Sequence, residues 1–359
     1  MSYRVAGTKV FGLIIAAGLI AAACGGGTTA SPAPTVAAST APTAAPGALP
    51  APEATTIRIG ISAPTEPVQY AEKLADTLGY YKELGFTSIT VTGFEGDGKA
   101  LQALVAGQLD FFVGGASTAI SSQLTDTPVK VVSVNSVLNT DGLYCKSTIK
   151  TKEDVRGKAI AISTFGGTSH GSALIAVGLI GMTPKDVVIK EVGSEGTRIA
   201  ALRGGSIDCI MAGLANDDSL KGAGFNLIVD VTKGGQWGRS GLMARTDFIA
   251  KNPNTVLAVV AAAVRAQNYM WTNNADAAVK FTDWAQAKPA DATNAMKAFL
   301  DYGLRSMIFT EEAFKAPQQV LASVNPPVAN VDLKKAYDLS FLQKLVDNGY
   351  YAKYGIPTK

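Results

Sequence analysis

Two loops carry residue types suited to gripping a small molecule. The run Ser163-Thr164-Phe165-Gly166-Gly167-Thr168-Ser169-His170 joins a β-branched segment to a helical one. A helix start of this kind presents free backbone N–H groups. With the Thr168 and Ser169 hydroxyls it can hold a carboxylate, sulfonate or carbonyl oxygen without any formal positive charge. Thr164 and Gly167 belong to the same loop, whose plainer role is an ordinary N-cap with glycines in a tight turn. His170, the only histidine, is either a pocket wall or a helix-surface residue. The run Gly93-Phe94-Glu95-Gly96-Asp97-Gly98-Lys99-Ala100 nearly spells a phosphate-binding loop. It fails at Ala100, which has no hydroxyl for Mg²⁺, and it sets two acids where phosphates would sit, so nucleotide hydrolysis is rejected. Glu95 and Asp97 instead offer acceptors to a ligand's amine or ring N–H, and Glu195 occupies nearly the same place in a related later loop.

These loops need a scaffold that aims them at one another. From residue 56 short β-branched runs at 57–61, 88–92 and 109–113 alternate with helical stretches over 68–84 and after Gly98. A second pass has strands at 159–163, 187–191 and 207–211, with helices from about Ser169 and Thr197. This is the βαβ pattern of a parallel sheet. The passes are related: residues 103–110 and 201–208 align at a constant offset of 98, keeping Ala, Leu, Gly and Asp, while Val91 falls on Ile189 and Gly98 on Gly196. The expected fold class is α/β, with two doubly wound lobes around a central cleft, and ligands bind beyond the carboxyl ends of such strands. That geometry adds Ser62 and Thr65 after the first strand, Gly115 and Ser117 after the third, then Asn135 and Asn216. Trp237, in a Gly-rich segment, is either a ring that stacks on ligand or a lid over a core edge. Residues 256–264 form an apolar helix stripe too short to span a membrane.

The front of the chain reads differently. Arg4 and Lys9 precede an uncharged apolar run at 10–23, too short for a span and right for an export signal. Residues 25–55 hold six of the sixteen prolines, no aromatic residue and one charge, Glu53. No core can form there, and a disordered tether over 24–55 is expected. Across 359 residues, 47% hydrophobic content and a net charge of +3 describe a globular chain of about two domains with no nucleic-acid footprint. One His and three Cys leave metal sites and a disulfide scaffold as poor expectations, and no cofactor is expected.

Several segments together resemble the substrate-binding proteins of bacterial ABC importers for nitrate, sulfonates, taurine and thiamine-pyrimidine precursors. They are Gly79-Tyr80-Tyr81-Lys82-Glu83-Leu84-Gly85, the 103–111 stretch, Pro128-Val129-Lys130-Val131-Val132, Ile149-Lys150-Thr151 with Asp154-Val155-Arg156-Gly157-Lys158, and Asp338-Leu339-Ser340-Phe341-Leu342. The run Leu19-Ile20-Ala21-Ala22-Ala23-Cys24-Gly25 also resembles a bacterial lipoprotein signal, in which Cys24 is acylated, although Ala21 stands where that family usually has Leu. Residues 21–23 would equally serve as an ordinary cleavage site. The resemblance implies a type II periplasmic-binding fold, with lobe 1 over 56–144 and 241–359, lobe 2 over 145–240, and crossings near 144–147 and 240–245. It implies a monomer, lipid-anchored on the outer face of the cytoplasmic membrane, that closes on a small organic solute and passes it to a permease with a cytoplasmic ATPase. An enzyme like the related pyrimidine synthase is disfavoured, because that chemistry uses His and a Cys-rich segment; a tethered sensor remains the other alternative. The type II strand arrangement also implies that Cys145 and Cys209 lie close, either as a disulfide or as two small core residues. Mass spectrometry of the membrane fraction is expected to find lipid on Cys24; an unmodified N-terminus there, in membrane-free fractions, would leave a secreted protein.

Overall fold

The computed structural model describes residues 45–358; the expected export signal, Cys24 and residues 25–44 lie outside the described residues. Ten strands make two five-stranded sheets. The first contains β1 (Thr56–Ile61), β2 (Ser88–Gly93), β3 (Phe111–Gly114), β4 (Val129–Leu138) and β10 (Gln236–Arg245), in the order β2-β1-β3-β10-β4. The second contains β5 (Asp141–Cys145), β6 (Ala159–Ile162), β7 (Val188–Glu191), β8 (Cys209–Gly213) and β9 (Asn226–Asp230), in the order β7-β6-β8-β5-β9. In each sheet four strands run in the same direction, and the strand that arrives from the other sheet, β10 or β5, is inserted antiparallel to its neighbours. The chain therefore passes between sheets at residues 139–140 and 231–235, several residues before the expected crossings, because β5 and β10 each begin pairing as soon as they leave the opposite sheet.

The 98-residue offset is visible in three dimensions. The helices Asp97–Val105 and Glu195–Arg203 are both nine residues long, start on an acid, and lead into β3 and β8 at the same offset. The parallel strands thus aim their carboxyl ends, and the loops that follow, at the space between the sheets. The single helix expected over 68–84 is instead Ala71–Thr77 followed by Tyr80–Glu83, interrupted at Gly79, whose φ of 74° suits glycine. Cys145 and Cys209 face each other across the β5–β8 ladder, fully buried and joined by a disulfide.

Most of the apolar core belongs to the first sheet and the helices over it, including Pro253–Thr272 with its buried Val256, Val260 and Val264. The second sheet has a smaller cluster on each face. No helix among the described residues is long and apolar enough to cross a membrane.

Residues 45–55, expected to belong to the tether, are laid against this body. Gly47 N–H donates to Asn348 O, and the Glu53 carboxylate accepts from Asn254 N, Thr255 N and Thr255 Oγ1 at 2.9, 2.7 and 3.0 Å. Glu53 is therefore a remote cap for the Pro253–Thr272 helix, satisfying N–H groups that no intrahelical carbonyl reaches. Partial burial alone would raise its pKa, but these hydrogen bonds win and hold it below the usual carboxylate value. A depressed folded pKa means that the stabilisation is present at neutral pH and is lost as the pH falls through that folded value. Glu53→Ala is expected to cost about 0.5–1 kcal/mol at pH 7, with the difference from wild type shrinking towards pH 3 in a thermal melt. A constant difference across that range would argue against the cap.

Candidate functional site

Between the two sheets lies a cavity of about 320 Å³. Its walls are loops from both sides. Ser62, Ala63, Pro64, Thr65 and Glu66 follow β1, while Phe94, Glu95, Gly96 and Asp97 follow β2. On the other side stand Ser163, Thr168 and Ser169 after β6, and Ser194, Glu195 and Arg198 after β7. Asp141 and Arg239, from the strands that cross between sheets, complete it.

Charge decides the character of this cleft. Arg239 is only 4% exposed and donates Nη2 to Glu66 Oε2 at 2.6 Å and to Asp141 Oδ1 at 3.1 Å. Burial opposes its charge, but Asp141, Glu66, Asp97 and Glu195 together raise its pKa further. Arg198, also buried, donates Nε to Met211 O and Nη1 to Gly193 O at 2.9 and 2.7 Å; burial pulls its pKa down despite the surrounding carboxylates. Glu66 is pushed up to about 8, chiefly by burial, with Glu195 and Asp141 adding to the rise and Arg239 opposing it. The Glu66 and Glu195 carboxyls come from opposite sides and lie within hydrogen-bonding reach of each other. A like charge so placed disfavours the ionised form of Glu66. Glu195 also accepts from Gly213 N at 3.0 Å and from Asn216 Nδ2.

The helix start at Thr168 behaves otherwise than as an open anion site. Asp97 Oδ2 accepts from Thr168 N at 2.9 Å, from Thr168 Oγ1 at 2.7 Å and from Thr118 Oγ1 at 3.0 Å. Ser169 Oγ accepts from Ser163 N at 2.7 Å and bonds the Ser163 hydroxyl. The oxyanion that the sequence leads one to expect there is the chain's own carboxylate, brought across from the other sheet. The capping is reciprocal, because Thr164 Oγ1 accepts from Gly98 N in the first turn of the Asp97–Val105 helix at 3.2 Å. Glycines make this contact feasible: a Cβ on Gly115 would fall 2.0 Å from Thr168 Oγ1, and on Gly96, with φ 105°, 2.9 Å from Ser163 Cβ.

Of the residues singled out from sequence, Ser62, Thr65, Glu95, Asp97, Thr168, Ser169 and Glu195 line the cavity. Glu95 is partly engaged by Lys99 on the surface. Thr164, Gly167 and Gly115 stand behind it at the inter-sheet contact, and Asn216 lines the neighbouring cavity. Ser117 and Asn135 are fully buried and do not line the cleft. Trp237 packs in the second sheet's core, where a Cβ on Gly171 would meet its ring at 2.4 Å; it is a core residue and not a stacking platform. His170 lines a separate groove with Phe165 and Leu321, and burial lowers its pKa. Glu66, Asp141, Arg198 and Arg239 also line the cavity and are not among the residues singled out from sequence. Among the described residues no His, Cys, Asp and Glu group is placed to hold a metal ion.

Asp97→Ala removes the carboxylate that ties the two sides. It is expected to favour separation of the sides by about 10- to 100-fold, seen as a larger radius of gyration in X-ray scattering and faster hydrogen exchange at the Thr168 amide. Asp97→Asn keeps one acceptor and should fall between. Unchanged Thr168 exchange in both variants would rule the tie out.

The comparisons fit this geometry. Residues 70–277 match the model of the family described as NMT1/THI5 like. The taurine-binding periplasmic protein of Escherichia coli (strain K12) is 30% identical over 219 residues, 60% of this chain and 66% of that relative, so the alignment spans just under two thirds of its length. Among solved structures, a protein of Bordetella bronchiseptica RB50 superposes with a TM-score of 0.74 at 23% identity, covering 85% of this chain and 100% of that one. The alkanesulfonate-binding protein from Xanthomonas axonopodis pv. citri, bound to MOPS, does so with a TM-score of 0.65 at 16% identity, covering 80% and 99%. With two mixed sheets facing a shared cleft and the family model matched over more than half its length, the chain belongs to the NMT1/THI5-like family and has the periplasmic-binding fold.

Proposed function

We propose that this protein captures a small organic solute bearing a protonated nitrogen, by closure of two lobes, and delivers it to an ABC import permease. The observation that carries this reading is the cleft wall, where Glu66, Glu95, Asp97, Asp141 and Glu195 face only Arg198 and Arg239. A bare oxyanion entering this space meets net negative charge and a helix start already satisfied by Asp97. A cation meets the reverse. An aminosulfonate or a protonated nitrogen heterocycle suits the wall, and taurine, named in one relative's title, carries such a nitrogen.

Lobe 1 in this proposal is residues 56–138 with 236–358, and lobe 2 is residues 139–235, following strand membership. The ligand nitrogen sits between Glu66 of one lobe and Glu195 of the other, displacing the proton that burial favours on Glu66. Those contacts exist together only when the lobes are closed, so the ligand selects the closed state. The lobes bind and release without chemistry. Cys24, acylated, would hold the protein on the outer face of the cytoplasmic membrane beside its permease, with the preceding segment removed on export and the tether giving reach.

The pH dependence follows from Glu66, whose pKa is pushed up to about 8 from 4.5. Because the folded value is the higher, this group stabilises the empty protein fully below about pH 4.5, and the contribution is lost as the pH rises towards 8. A cation ionises Glu66, so binding at pH 7 should release protons, and affinity should climb with pH and level off once Glu66 is ionised in the empty protein. Titration calorimetry of taurine and of ethylamine in buffers of different ionisation enthalpy reads this release. Glu66→Gln should abolish it and weaken binding about 10- to 150-fold. Proton uptake, or tighter binding in the variant, would contradict the reading.

A further inference from the structure

A second cavity, of about 580 Å³, adjoins the cleft. Thr65, Glu66, Glu195 and Gly196 line both. The two spaces therefore meet at the pair of carboxyls that come together from opposite sheets. Their far walls differ in kind. Beyond the carboxyls of the first cavity stand further acids and two guanidiniums, whereas the second is walled by Leu138, Ile199, Leu214, Phe281, Ala292 and Ala295. Apart from the two carboxyls at the junction, its charged lining residues, Lys288, Asp291 and Asp301, are all exposed, which puts them at the solvent edge. At the junction Gly196 leaves room, since a Cβ there would meet nothing within 4 Å.

The helix Pro289–Tyr302 offers methyl groups where longer side chains would close this space, and a well-packed interior does not normally leave apolar room of this size unfilled. We propose that this compartment receives the apolar tail of the same solute whose polar head occupies the cleft, so that the ligand is an amphiphile with its charged nitrogen at the Glu66–Glu195 junction. The occupant is fixed by continuity: any tail attached to a nitrogen held between those carboxyls has the acid-rich cleft on one side and this apolar wall on the other. The inference rests on the solute-binding reading for its head group, but its own content is the tail.

The test uses two homologous probe series, n-alkylamines and n-alkanesulfonates from two to eight carbons, titrated calorimetrically into the protein. Amine affinity is expected to rise about fourfold per added methylene until the compartment is full, the gain from burying each CH₂. Ala295→Phe fills the compartment from the helix side and should remove the chain-length gain while leaving ethylamine affinity unchanged. Ala298→Trp, at an exposed lining position, provides the same test if the first variant fails to fold. A chain-length gain confined to the sulfonates and removed by Ala295→Phe would uphold the tail compartment while refuting the nitrogen head group. Amines that bind with affinity independent of length would overturn the compartment and leave the head group standing. A gain that persists in both filled variants, or no binding in either series, would also overturn it.

Discussion

Arg239 is the interaction on which the cleft depends. A guanidinium that is 4% exposed pays a desolvation cost that only well-placed carboxylates offset. Asp141, at the start of β5, supplies that charge, and Glu66, from the loop after β1, accepts a second hydrogen bond from the same nitrogen. Because Arg239 lies on β10, Glu66 on the first sheet's side and Asp141 in the second sheet, one side chain ties both sheets to a strand that crosses between them. Replacing it by an apolar residue would leave the carboxyls buried without their counter-ion, a larger loss than the pair's own net contribution.

Once that guanidinium is fixed, the rest of the wall follows from charge balance. Arg239 and Arg198 do not balance five carboxyl groups, and burial beside Glu195 and Asp141 raises the pKa of Glu66. In the proposed reading a carboxyl with a raised pKa at this meeting point suits exchange, a cation taking the proton's place. The Asp97 tie acts in the same direction. It fills the helix start that would otherwise attract an oxyanion, and it spends that interaction on holding the sides together.

The scaffold was legible because it repeats. The offset of 98 between residues 103–110 and 201–208 reports the same helix-to-strand unit twice, and β-branched runs located β1, β2, β3, β6, β7 and β8 to within a few residues. Asp97 and Glu195 were legible for the same reason, as the first residues of equivalent helices. Arg239 and Asp141 were not. Each is a single charged residue within a strand, and nothing in the local sequence says whether its side chain meets solvent, core or cleft; register shifts in the β10–β4 ladder hide even the alternation. Trp237 misled for the related reason that an aromatic near glycines suits a pocket and a core equally, and only Gly171 packed against its ring decides between them. At the Thr168 loop, read from sequence as an anion site, the carboxylate present is Asp97, 71 residues away, which local pattern cannot place.

The central claim is that carboxylates, and not the helix start, hold the solute. A crystal structure with a bound aminosulfonate tests it most directly. The ligand nitrogen is predicted within about 3 Å of both Glu66 and Glu195, with Asp97 still capping Thr168. Sulfonate oxygens on the Thr168 and Ser169 donors, with Asp97 displaced, would contradict it.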